Sequence, residues 1–180
     1  FDIPMMSNIP NLVYLAPTNC EEYLAMLDWS IEQNKYPVAI RIPRNGVHHV
    51  TEKVDSDYSD LNKNLVTRKG GNIAVFALGD FYQLGEELCD HIEKEIGIAP
   101  TLVNPRYITG LDVDLLNSLK ENHQVVLTME DGVLDGGYGQ KIASFYGPSA
   151  MKVMNYGLKK EFIDRFNASE ILKENKITIE

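Results

Sequence analysis

Arg44 is the residue whose type and position most directly suggest ligand binding in this sequence. It follows Pro43 at the end of a predicted strand at residues 38–42, and open α/β sheets bind ligands outside the carboxyl ends of their strands. A guanidinium there can hold a phosphate or carboxylate through two parallel hydrogen bonds. The alternative is a surface arginine paired with a nearby carboxylate. Of two other charged residues, Arg41 is predicted to be structural, and Asp2 is either a site carboxylate or a helix cap.

A second candidate is the glycine-rich turn Gly136-Gly137-Tyr138-Gly139, which follows Glu130-Asp131 and opens a predicted helix. Backbone N–H groups at a helix N-terminus can cradle a phosphate. However, the turn lacks the Lys-Ser/Thr pair of a P-loop and the full spacing of a dinucleotide fingerprint, and the two carboxylates would repel an anion. Close packing of helix on strand is therefore the favoured role.

The sequence predicts no metal site. Cys20 and Cys89 have neither disulfide nor metal-ligand spacing and are expected to be buried. His48 and His49 are interpreted as solvated loop residues. The acidic run at residues 55–60 lacks the glycine and glutamate that an EF-hand calcium loop requires, so a solvated linker is favoured.

Composition limits the possible functions of these 180 residues. A 44% hydrophobic content is typical of a globular domain. The formal net charge of -9, without a basic cluster, argues against nucleic acid as a partner. The apolar runs are far shorter than the roughly 20 residues of a membrane-spanning helix, and no signal peptide opens the chain. A cytoplasmic protein that does not bind membranes is therefore expected.

The elements that must position Arg44 form one β-α-β unit. Residues 12–15 are predicted to form a buried strand, and residues 38–42 a second one. Thr18 and Glu21 have the spacing of a capping box for the helix between them. Leu24, Leu27 and Ile31 would then form its apolar face.

A polar stretch without clear periodicity separates this unit from a regular α/β pattern. Residues 1–50 are predicted as one partial domain, 51–70 as a linker and 71–180 as a second domain. Asp80 and Asp112 are the expected caps of two helices in the second domain. Its strands are predicted at residues 73–78, 101–104, 124–129 and 152–155. Strands alternating with helices indicate a mainly parallel sheet flanked by helices.

Two features lead us to expect that sequence is missing around this chain. Parallel sheets are normally covered on both faces, and a lone β-α-β unit offers nothing to cover its second face, so residues are expected before Phe1. At the other end, Ile177-Thr178-Ile179 would leave an apolar stretch uncovered.

Several motifs, in order, resemble the 1-deoxy-D-xylulose-5-phosphate synthase family of transketolase-type enzymes. The first half resembles the end of that family's pyrimidine-binding domain, and the second half its C-terminal domain. The motifs are Phe1-Asp2-Ile3-Pro4, residues 8–17, residues 37–44, Asn104-Pro105-Arg106-Tyr107-Ile108 with Leu111-Asp112, and Glu130-Asp131-Gly132 with the glycine turn. The likeness extends over essentially the whole chain.

The resemblance implies a transferase that uses thiamine diphosphate and magnesium. It would decarboxylate pyruvate and condense the two-carbon unit with glyceraldehyde 3-phosphate, for isoprenoid, thiamine and pyridoxal synthesis. The family also implies a cytosolic homodimer with three α/β domains per chain. Arg44 matches the arginine that holds the substrate phosphate.

By the same resemblance, the family's site histidine and cofactor-activating glutamate would lie before Phe1, and the diphosphate and magnesium ligands in a missing N-terminal domain. This chain would then contain no catalytic, cofactor-binding or metal-binding residues and would be inactive alone. Two positions depart from the family: Asn45 stands where many members have glycine, and Gly110 where proline is usual. Transketolase, a 2-oxo acid dehydrogenase β-subunit and a non-catalytic interaction domain remain as alternatives.

Overall fold

The chain contains a small parallel sheet whose two strands are joined by a helix. The computed structural model describes residues 1–43, 46–164 and 167–179. Strand β1 (Val13–Leu15) pairs in parallel with β2 (Val38–Ile40), and α2 (Cys20–Glu32) connects them. The predicted β-α-β unit is therefore confirmed. A short helix, α1 (Asp2–Met6), precedes it.

A larger sheet of five strands follows, in the order β3-β5-β4-β6-β7. All neighbouring pairs are parallel except β3 with β5, which confirms the prediction of a mainly parallel sheet. The strands are β3 (Leu65–Arg68), β4 (Asn72–Ala77), β5 (Thr101–Asn104), β6 (His123–Val133) and β7 (Lys152–Leu158). The helices are α3 (Tyr82–Ile96), α4 (Val113–Leu119), α5 (Tyr138–Tyr146) and α6 (Ala168–Glu174).

The segment predicted as a linker contains part of this sheet. Strand β3 lies within it and pairs antiparallel with β5. Tyr58, also in that segment, is 1% exposed and packs against Trp29 and Tyr107. The other five residues at positions 55–60 are exposed, as expected for a solvated acidic segment, so Tyr58 is the exception within the run.

The first turn of α2 differs from the predicted capping box by one residue. Asn19 is the N-cap, and its side chain accepts a hydrogen bond from the Glu22 N–H. The Glu22 carboxylate accepts from both the backbone N–H and the hydroxyl of Thr18. Glu21 instead points toward the loop after β2.

The predicted apolar face of α2 is also wrong. Leu24 and Ile31 are 51% and 73% exposed, whereas Met26 and Trp29 are buried. The helix is rotated so that the aromatic ring of Trp29 packs inward.

Of the two helix caps predicted for residues 71–180, Asp112 is confirmed and Asp80 is wrong. Asp112 caps α4 by accepting a hydrogen bond from the Leu115 N–H, as predicted. Asp80 is not a cap, because a 3-10 turn at Gly79–Phe81 precedes α3 and Phe81 occupies its N-cap.

Hydrophobic clusters cover both faces of the five-stranded sheet, since alternate side chains of each strand point to opposite sides. Helices α4 and α5 cover one face, and α3 and α6 the other. One cluster contains Ala74, Phe76, Val126, Leu116, Ile142 and, from β1, Tyr14; the other contains Val75, Leu127, Cys89 and Ile177.

These clusters correct two expectations about uncovered surface. Tyr14 and Ala16 belong to the core of the larger sheet, so the second face of β1 is covered. Ile177 is 3% exposed, so part of the apolar stretch near the chain end packs against the α3 side of the sheet. Of the helices in the described residues, none has the length and apolar character needed to span a membrane.

Candidate functional site

The carboxyl ends of strands from both sheets meet in one crevice. Strand β4 lies between β5 and β6: the chain passes from β4 to β5 on one side and then returns to β6 on the other. Open α/β sheets bind ligands where the strand order reverses in this way. Asp80 follows β4, and Pro43 follows β2. The crevice is lined by Pro17, Thr18, Asn19, Tyr23, Ile42, Pro43, Val47, His48 and Asp80.

Arg41 joins three segments beside this crevice. Its Nε donates a 2.6 Å hydrogen bond to Asp2 Oδ2, and its Nη1 donates to Asp131 Oδ1. The Tyr14 hydroxyl also donates to Asp2 Oδ2, at 2.6 Å. Arg41 thus acts structurally, as predicted. Asp2 is in the first turn of α1, and its carboxylate binds Arg41 and Tyr14 rather than capping the helix.

The pKa values in this cluster follow from its charges. Burial alone would raise the pKa of Asp2, but the hydrogen bonds from Arg41 and Tyr14 outweigh it and lower the pKa to about 2. For Asp80, burial and the nearby Asp131 carboxylate raise the pKa. Asp80, which lines the crevice, and Asp2, which lies in the Arg41 cluster beside it, are therefore carboxylates in two different electrostatic environments.

Arg44, the main site residue expected from the sequence, lies outside the described residues together with Asn45. Its role therefore stays a prediction. The nearby residues Pro43 and His48 both line the crevice, as does Asp80.

The glycine turn holds an anion that belongs to the protein itself. Glu130 is 0% exposed, and its carboxylate oxygens accept hydrogen bonds of 2.9 and 2.8 Å from the N–H groups of Tyr138 and Gly139. Burial raises the pKa of Glu130, although the two N–H groups counteract it. The Glu130 carboxylate thus occupies the N-terminus of α5, which supports a role of the glycine turn in packing helix against strand.

Close approach of neighbouring polar groups explains two glycines in this turn. A Cβ at Gly137 would lie 2.6 Å from both Glu130 carboxylate oxygens and 2.7 Å from the Val133 carbonyl oxygen. At Gly139 it would lie 2.3 Å from the Thr128 hydroxyl oxygen. Neither position can accept a larger residue without movement of its neighbours.

A second polar cleft, of about 410 Å³, was not anticipated from the sequence. Glu22 and Arg106, both buried, line it with Asn104. Asn104 Nδ2 donates to Glu22, and Arg106 Nη1 donates to Asp55 at 2.8 Å. Arg106 has a φ of 61°, and its Nε has no hydrogen-bond partner among the described residues. In the sequence, the position of Arg106 just after the strand at residues 101–104 could have indicated a role at the strand ends.

The loop after β2 also brings together residues that the sequence left separate. His49 Nδ1 lies 2.9 Å from Glu21 Oε1, and Cys20 is beside them. His49 is an exposed loop residue, as predicted, but it also has an acidic partner 28 residues away in the chain, which local spacing could not indicate. Cys20 is half-buried, whereas Cys89 is buried as expected.

The fold and the strand-end crevice define an α/β protein with a mainly parallel sheet whose edge strand is antiparallel. Residues 62–180 match the family model described as the transketolase C-terminal domain. The chain belongs to the transketolase C-terminal domain family.

Relatives from two bacteria support the more specific resemblance. A 1-deoxy-D-xylulose-5-phosphate synthase of Dehalococcoides mccartyi is 32% identical over 173 residues, covering 94% of this chain and 26% of that protein. One from Clostridium acetobutylicum is 31% identical over 191 residues, covering 100% of this chain and 29% of that protein. The resemblance to this synthase is confirmed, and the chain spans little more than a quarter of these relatives.

Solved structures support the fold. A structure titled split gene transketolase, inactive beta4 tetramer, superposes with a TM-score of 0.81 at 23% identity, over 99% of this chain and 57% of that chain. Transketolase from Campylobacter jejuni superposes with a TM-score of 0.67 at 18% identity, over 94% of this chain and 25% of that chain.

Proposed function

We propose that this chain is part of a thiamine diphosphate-dependent transferase that makes 1-deoxy-D-xylulose 5-phosphate. The enzyme would decarboxylate pyruvate and join the two-carbon unit to glyceraldehyde 3-phosphate. The observation that carries this proposal is the similarity to synthases of this reaction over 94% and 100% of the chain in the two relatives above. It includes both the β-α-β unit and the larger sheet.

In this proposal the chain contributes a residue that binds the acceptor substrate, glyceraldehyde 3-phosphate. Arg44 would bind the phosphate of glyceraldehyde 3-phosphate, since a guanidinium forms paired, charge-assisted hydrogen bonds with phosphate. Arg41 would position the loop that carries it, because its contacts with Asp2 and Asp131 fix the end of β2 against β6.

The glycine turn before α5 does not fit the diphosphate of the cofactor. The helix N-terminus that suggested a phosphate cradle is filled by the Glu130 carboxylate, and a diphosphate there would face a buried acidic side chain. Because the resemblance to the synthase family implies that the cofactor ligands lie in other segments, we assign thiamine diphosphate and its magnesium ion to parts of the full-length enzyme outside these 180 residues. When bound, the cofactor supplies the carbanion chemistry that decarboxylation of pyruvate requires.

The experiment is a pyruvate decarboxylation assay of the full-length protein with thiamine diphosphate and Mg²⁺. We expect carbon dioxide release to depend on glyceraldehyde 3-phosphate and to produce the five-carbon ketose phosphate. Turnover of a ketose phosphate donor without pyruvate would instead identify a transketolase. Carbon dioxide release that needs an oxidised lipoyl acceptor would identify a 2-oxo acid dehydrogenase, and no turnover of any of these kinds would favour a non-catalytic domain.

A further inference from the structure

Three side chains with metal-binding atoms converge where the loop after β2 meets the start of α2. Cys20 Sγ, a carboxylate oxygen of Glu21 and a ring nitrogen of His49 all lie within 4.8 Å of one another. In the described ranges 1–43, 46–164 and 167–179, this is the one place where at least three such groups meet. Cys, His and Glu are all established ligands of zinc.

Backbone contacts hold the two segments together independently of any metal. The Cys20 N–H donates a 2.7 Å hydrogen bond to the His48 carbonyl oxygen. The Val50 N–H donates a 2.9 Å hydrogen bond to Glu21 Oε2. Residues 48–50 are thereby fixed on both sides of His49, and Glu21 Oε1 is left facing the His49 ring. Orientation of a ligand carboxylate by a second hydrogen bond is typical of metal sites.

The distances require only small movements for coordination. With zinc bonds of about 2.0 Å to oxygen and about 2.1 Å to nitrogen, two tetrahedral ligands are separated by about 3.3 Å. The present separation of Glu21 Oε1 and His49 Nδ1 is 2.9 Å. With a zinc–sulfur bond of about 2.3 Å, the thiolate would lie about 3.5 Å from the other ligands. Cys20 Sγ, at most 4.8 Å from them, can reach that distance through side-chain rotation.

We propose that Cys20, Glu21 and His49 form a binding site for a zinc-like divalent metal ion. The mixed sulfur, nitrogen and oxygen ligands favour Zn²⁺ or Co²⁺ over Mg²⁺, which prefers oxygen ligands. Thiolate and carboxylate together balance the charge of a divalent ion. The His49 side chain is 72% exposed, so the fourth position is open to water. A bound ion would attach the loop after β2 to α2.

Cobalt provides the direct test, because thiolate-bound Co²⁺ has a charge-transfer absorption that carboxylate and imidazole sites lack. Metal-free full-length protein, titrated with CoCl2, should show this absorption with one equivalent bound, and ZnCl2 should abolish it. Cys20→Ser should eliminate the absorption. His49→Ala should weaken cobalt binding at least about tenfold. His48→Ala is the matched control, since the neighbouring ring is not a ligand, and should leave binding unchanged.

Thermal unfolding distinguishes a variant that has lost metal binding from one that has failed to fold. Zn²⁺ should raise the melting temperature of the wild type and of His48→Ala but not of Cys20→Ser, because a ligand stabilises only the state that binds it. Absence of the charge-transfer absorption in folded wild type would overturn the proposal. So would an absorption that persists in Cys20→Ser, or an equal loss in His48→Ala and His49→Ala.

Discussion

At the scale of single residues, Arg41 is the clearest link between the two sheets. Its pKa is raised because the attraction of Asp131 and Asp2 outweighs the effect of burial, so it stays charged. Its partners come from α1 and β6, which are 39 residues before and 90 residues after it. The sequence identified Arg41 as structural, but only the fold shows its partners.

Replacing Arg41 tests this link. Arg41→Met keeps the side-chain stem but leaves Asp2 and Asp131 without a cationic partner. We expect the free energy of unfolding to fall by about 1–3 kcal/mol, a range that allows for solvent screening of the half-exposed Asp2. Urea unfolding near neutral pH measures it. Arg68→Met, which removes an exposed pair with Asp90, should cost less than about 1 kcal/mol; equal losses would contradict the role of Arg41.

The lowered pKa of Asp2 gives a pH dependence. Because its pKa is 3.8 as a model value and about 2 in the folded chain, its contribution to stability is present above about pH 4 and is lost as the pH falls toward about 2. The difference in unfolding free energy between wild type and Arg41→Met should therefore shrink over that interval. Urea unfolding of both proteins at several pH values measures it. A difference that stays constant would show that Asp2 is not coupled to Arg41.

At the scale of elements, the strands were predicted better than the orientation of α2. The strand predicted at residues 101–104 coincides with β5, all four of whose residues are buried. For α2, Thr18/Glu21 and Asn19/Glu22 both have capping-box spacing; Asn19 is the cap that forms, and the Glu22 carboxylate accepts from Thr18. Local spacing cannot choose between overlapping motifs, whereas packing of Trp29 can.

The edge strand β3 was missed for a related physical reason. Its four residues alternate between exposed and half-buried positions, as in a strand with one solvated face. So short an alternation is weak in a polar segment, and its pairing partner β5 is more than 30 residues away. The sequence pattern therefore indicated a linker where the structure has a strand.

The turn before α5 gives a prediction at this scale. Gly137→Ala would place a methyl group against the Glu130 carboxylate and the Val133 carbonyl oxygen, so we expect a loss of about 1–3 kcal/mol in unfolding free energy. Urea unfolding measures it. Gly71→Ala is the control, because its Cβ would meet nothing closer than 3.9 Å. Stability of Gly71→Ala should be unchanged or higher by up to about 1 kcal/mol. Similar losses in both variants would contradict the packing role of the turn.

At the scale of the whole molecule, sequence patterns predicted the architecture but not the sites formed between distant segments. The alternation of strands and helices was sufficient for a mainly parallel sheet. The pairing of His49 with Glu21, and of Arg106 with Asp55, depends on how loops return to the sheet. No local spacing contains that information.

The division of the enzyme proposed above predicts how the isolated chain behaves. The 180-residue chain should show no measurable heat of binding with thiamine diphosphate and Mg²⁺, since Glu130 fills the helix N-terminus that could have held a phosphate. Full-length protein in the same calorimeter is the positive control. Tight binding by the isolated chain would contradict the assignment of the cofactor to other segments.

The most direct test of what this chain contributes is a kinetic comparison of Arg44→Ala with the wild type in the full-length enzyme. Loss of a charge-assisted phosphate contact should raise the KM for glyceraldehyde 3-phosphate about 10- to 100-fold. The KM for pyruvate should change less than about threefold. Arg68→Ala, a surface arginine, should change neither value. An equal rise in both KM values for Arg44→Ala would contradict the account.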